Sequence, residues 1–122
     1  MSIHNLGQIL TGREFEMEQV IYDKLQAVAR AHELTNYTKM GALVGLEPHD
    51  SRLWAMLDEI NRFEHENNRP MISALVIVQG ENRPGSGFWV CASDLGRFIR
   101  GGDEDRFWSD ELRSVWEYWA SH

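Results

Sequence analysis

The stretch Arg69–Trp89, RPMISALVIVQGENRPGSGFW, decides the fold. Met71 to Val78 is a continuous apolar run rich in β-branched side chains, the pattern of a strand buried on both faces. Gly80 to Gly87 carries the Gly, Asn and Pro of a reversing turn, which would send the chain back through Phe88-Trp89-Val90 as a second strand. The expectation is a two-stranded hairpin across residues 71–90.

Upstream, the continuous run gives way to a periodicity of about 3.6 residues. Asp50 or Ser51 is placed to cap a helix in which Leu53, Leu57, Ile60 and Phe63 form one apolar line as far as Asn67. Before it, Tyr37 to Val44 gives about two helical turns with Met40, Leu43 and Val44 inward and Gly45 ready to end them in the left-handed region. A further helix is predicted from the Thr11-Gly12-Arg13-Glu14 capping box to about Glu33, with Met17, Val20, Ile21, Leu25 and Val28 as its stripe. Downstream, Ser93-Asp94 opens a short helix through Ile99, Gly101-Gly102 breaks it, and Ser109 caps a last helix carrying Leu112, Val115, Trp116 and Trp119.

Helix, glycine-containing turn, helix and hairpin in that order describe an α+β winged helix-turn-helix, with a two-stranded wing and additional N- and C-terminal helices. At 122 residues the chain suits one domain, with a core over about residues 11–90 and a helical extension over 91–122. Tyr37 to Gly45 followed by Pro70 to Phe88 resembles the winged-helix domain of DNA alkylguanine alkyltransferases and alkyltransferase-like proteins, and also small bacterial and phage winged-helix proteins of unassigned role. In the alkyltransferases the proline-led segment reads P-C-H-R and holds the nucleophilic cysteine. Here it reads Pro70-Met71-Ile72-Ser73, with neither Cys nor His. What the resemblance implies is therefore a scaffold without alkyl transfer, or a lesion sensor whose pocket Tyr37, Ser73 and Trp89 would line.

Composition restricts the classes of partner. Hydrophobic residues make up 43% and charged residues 25%, as in an ordinary folded protein. No apolar run approaches the roughly 20 residues of a membrane helix, and the N-terminus has no basic region leading into a long apolar one. One cysteine, Cys91, fits a reducing compartment, so a cytoplasmic bacterial or phage protein with no membrane contact is expected.

The formal net charge is −7, with 12 Lys and Arg against 19 Asp and Glu, the opposite of what a phosphate backbone attracts. Acidity concentrates in residues 101–122, where Arg106 and Arg113 face six carboxylates. The second helix of the pair, which would enter a major groove, offers Arg52 and Arg62 against Asp50, Asp58, Glu59, Glu64 and Glu66.

No pattern marks a catalytic centre. Cys91 sits between apolar neighbours, Ser73 has no His or Asp beside it in sequence, and Gly80–Gly87 lacks the order of a phosphate-binding loop. The five histidines are scattered without metal-ligand spacing, so neither metal nor cofactor is expected. The expectation is a non-catalytic acidic protein that binds a basic protein partner through Asp58, Glu59, Glu66, Glu111, Trp116 and Trp119. It would serve as an inhibitor or immunity/anti-defence factor against a nucleic-acid-acting enzyme. The alternatives are a sequence-specific DNA-binding regulator using Arg52, Arg62 and Arg83, and the lesion-binding protein.

Overall fold

The computed structural model describes residues 12–122. In chain order they form α1 (Gly12–Arg30), β1 (Thr35–Asn36), α2 (Tyr37–Ala42), α3 (Ser51–Glu66), a 3-10 turn (Ile72–Leu75), β2 (Val76–Ile77), α4 (Ser86–Asp94) and α5 (Glu104–Ala120). The protein is thus mixed helical with one small sheet among the described residues. That sheet is parallel, with Thr35 opposite Val76 and Asn36 opposite Ile77.

The long helices follow from their apolar spacing and caps. Asp50 caps α3 by accepting from the Arg52 amide at 2.8 Å, and Asn67 ends it. Gly45, at φ +73, takes the left-handed turn after α2 as expected. Gly41 is required for a different reason: a Cβ there would lie 2.4 Å from the Leu46 carbonyl oxygen, so only glycine lets the chain fold back against α2. The Thr11 cap lies outside the described residues. Within α1 the buried face is Ile21, Tyr22, Leu25 and Val28, joined by Glu18, whereas Val20 is exposed.

The 71–90 segment departs from the hairpin. Met71 to Val76 is fully buried apart from Ser73, which is 4% exposed, but only its end is a strand. Asn61 on α3 accepts from the Ser73 amide at 3.2 Å and donates to its hydroxyl at 2.6 Å, so a side chain serves a backbone donor that a strand would pair with another strand. A buried apolar run fits a 3-10 turn as well as a strand, because burial on all sides removes the periodicity that separates them. Phe88-Trp89-Val90, expected as the returning strand, lies within α4. Phe88, Cys91 and Ala92 are its buried residues, at helical spacing. The short helix expected over 93–99 is absent, since α4 ends at Asp94. The last helix begins at Glu104, capped by Asp103 rather than Ser109.

Residues 71–76 sit at the centre. α1, α3 and α5 all pack on the 3-10 turn. Leu112, Val115 and Trp119 of α5 join Ile21, Leu25, Leu57 and Ile60 in the same buried cluster.

Candidate functional site

Trp54 of α3 borders two concavities of the surface. Its ring stacks on Tyr37 at 4.4 Å and 17°, and its Nε1 donates to the Pro48 carbonyl at 3.1 Å. The benzo edge fits against two glycines. A Cβ on Gly85 would lie 2.3 Å from Cη2 of Trp54, and one on Gly87 2.5 Å from its Cε3. Tyr37 also anchors the loop directly, its hydroxyl accepting from the Gly85 amide at 3.0 Å. Burial of that phenol pushes its pKa up to about 12, so it stays protonated.

Two open cavities share Trp54 and Val78. One, of about 330 Å³, adds Tyr37, Pro48 and His49; the other, of about 460 Å³, adds Trp89, Arg83 and Glu104. The three residues expected to line a lesion pocket do not meet in either. Tyr37 borders the first and Trp89 the second, while Ser73 lies buried against Asn61. Met71 is fully buried, and its amide donates to Glu111 at 2.9 Å.

Cys91 is buried in α4 beside Asn61 and Asp58. Burial first, and then the neighbouring Asp58 charge, push its thiol up to about 12, so it carries no thiolate at neutral pH. Burial likewise raises the Asp58 carboxyl.

The acidic residues expected to meet a partner are distributed unevenly. Glu66 is exposed at the end of α3, but Asp58 is half-buried, and Glu59 is buried with Arg62 3.7 Å away. Glu111 is buried between the Met71 amide and Arg97, the latter at 2.9 Å. Trp119 is core, edge-on to Tyr22 and covered by the Arg30 guanidinium at 5.2 Å. Trp116 is half-buried, stacked on His32 and donating to the Glu33 carbonyl. The six therefore form no common surface.

The three arginines of the DNA-binding alternative are exposed, and each has a carboxylate of this chain. Arg52 pairs with Asp50 at 2.8 Å, Arg62 with Glu59 and Arg83 with Glu104 at 2.8 Å. Hydrogen bonds from Arg52 hold the Asp50 carboxyl down at about 2, so this pair stays ionised through the acid range.

A buried network also escaped the sequence reading. Glu64, fully buried on α3, accepts from the Tyr22 hydroxyl at 2.5 Å and from Arg69 Nε at 3.0 Å, and Arg69 lies over the Phe63 ring. Glu18, 1% exposed on α1, has one oxygen without a hydrogen-bond partner; burial first, and then the charge of Glu59, raise its pKa to about 7. Among the described residues, no group of three His, Cys, Asp or Glu is placed to hold a metal, and no helix is long and apolar enough to cross a membrane. No protein family, curated protein or solved structure matches this chain.

Proposed function

We propose that this chain is a non-catalytic, acidic interaction protein of the cytoplasm that binds a basic protein partner, and that it blocks a nucleic-acid-acting enzyme. The observation that carries the reading is the pairing of Arg52, Arg62 and Arg83, each with its own carboxylate. A phosphate brought to any of them also approaches Asp50, Glu59 or Glu104, which offsets the attraction on which non-specific DNA affinity depends. Glu16, Glu33, Glu47, Glu66, Asp105 and Glu117 are exposed, and a cationic surface would be drawn to them. The locked Cys91 thiol and the Ser73 hydroxyl held by Asn61 support a role without covalent chemistry. In this reading α2 and α3 serve as the helix-turn-helix of a winged-helix scaffold.

The test compares an arginine-rich peptide with duplex DNA, titrated at low and high salt. Peptide binding that weakens steeply with salt, and no DNA complex, is the expected pair of results. A DNA complex lost when Arg52 and Arg83 are changed together would overturn the proposal.

One feature favours the second reading, a DNA-binding regulator. Glu59 and Glu64 are buried and Asp58 half-buried, so the exposed residues of α3 are Ser51, Arg52, Ala55, Arg62 and Glu66, a less acidic set than its sequence. The same titration decides between the two.

A further inference from the structure

Across residues 12–19, the opening turns of α1, Glu18 is the one buried residue. Phe15 and Met17 are partly covered, whereas Ile21, Tyr22 and Leu25 beyond them are completely enclosed. The start of α1 is therefore fastened chiefly by a carboxyl group. One oxygen of that group has no hydrogen-bond partner, and among the described residues no ion pair includes it. A carboxyl so placed is held as the neutral acid, because its ionised form would give up hydration for nothing in return.

The charges along the seam between α1 and α3 sharpen this. From α3, Glu59 acts on Glu18, and Glu59 itself lies 3.7 Å from Arg62. One turn earlier, the charge of Glu14 reaches Arg52, which Asp50 holds at 2.8 Å. One turn later, Tyr22 bonds to Glu64, which is paired with Arg69. The 3-10 turn, Ile72–Leu75, carries no ionisable side chain, and α5 meets α1 further along, through Trp119 at Tyr22 and Trp116 at His32. Arg52, Arg62 and Arg69 are thus each committed to another carboxylate, and Glu18 faces a like charge. Burial, and then that charge, set its titration at about 7.

We infer that Glu18 is a proton-operated latch: protonated, it holds residues 12–19 against α3, and when it ionises beside Glu59 these turns lift away while the bond from Tyr22 to Glu64 keeps the rest of α1 seated. Lifting hydrates both carboxylates, and the apolar side chains it uncovers, Phe15 and Met17, are already partly exposed. The carboxyl titrates at 4.5 once hydrated and at about 7 when enclosed, so opening grows with pH across that interval and levels off above it. The latch makes no use of the basic partner, so either proposal can fail alone.

Amide hydrogen exchange followed by NMR on the full chain tests it. The opening is local, so the amides of residues 16–19 should be less protected than those of residues 25–29 at every pH. Their protection factors should fall by at least about tenfold between pH 5.5 and 8. Glu18→Gln keeps the neutral shape and should abolish that fall. Protection of residues 16–19 that is constant with pH, or equal to that of residues 25–29, would overturn the inference, as would a fall that persists in Glu18→Gln.

Discussion

The Tyr22 hydroxyl and the Glu64 carboxylate meet 2.5 Å apart in the interior, joining α1 to α3, and the carboxylate has a second donor in Arg69. Burial raises the Glu64 pKa, while Tyr22 and Arg69 oppose that by favouring the ionised form. Tyr22→Phe removes one donor from a buried acceptor and should cost about 1–3 kcal/mol in urea unfolding. Arg69→Met leaves the carboxylate without its cation and should cost about 3–5 kcal/mol. If Arg69→Met were the milder of the two, the ion pair would not be what retains a charge there.

Glu18 predicts a fall in stability toward alkaline pH. Its carboxyl goes from the ordinary 4.5 when unfolded to about 7 when folded, so the folded chain holds the proton more tightly. The contribution is full below pH 4.5 and is lost as pH rises through about 7, amounting to up to about 3 kcal/mol. Glu18→Gln keeps the neutral shape without the titration. It should match the parent protein at pH 5 and exceed it at pH 8.5 in chemical denaturation; parallel curves for the two proteins would show that Glu18 ionises normally.

Placing a methyl group under the Trp54 ring should be costly. Gly85→Ala and Gly87→Ala each force the indole or the loop to move, by an expected cost of about 1–3 kcal/mol, together with a change in tryptophan fluorescence. Gly12→Ala is the control, since a Cβ there meets nothing within 4 Å.

Cys91 should resist thiol reagents at neutral pH in the folded protein and react at once in denaturant, because its thiol is both buried and raised to about 12. Rapid labelling of the native chain at pH 7 would contradict this environment.

What could be read in the sequence was whatever repeats along one face. α1, α3 and α5 carry stripes long enough to identify a helix, and Asp50, Asn67 and Gly45 mark boundaries by local chemistry. The 71–76 segment has no such stripe because every side of it is covered, and Asn61, ten positions before Met71, supplies the bonds that make it a turn. α4 is short, and Phe88-Trp89-Val90 prefer strands in isolation; the helical spacing of Phe88, Cys91 and Ala92 was the available counter-signal.

The site was less legible than the fold. Charge along α3 was countable, but which carboxylates point inward depends on helix rotation, and that turned Glu59 and Glu64 into interior groups. Trp54 carried no mark of its own. The alternation of small residues in Gly85-Ser86-Gly87 was the trace of the ring edge lying against it.

The four-residue sheet has a consequence for how the molecule comes together. Thr35 finds Val76 only after the intervening chain has doubled back, so α2 and α3 are the contents of one closed crossover. Until that closure forms, its entropic cost is unrepaid and α2, six residues long, has little to hold it. The helix pair should therefore assemble late and all at once, and a peptide excised as residues 37–66 should remain largely unstructured, because the fastening lies outside it.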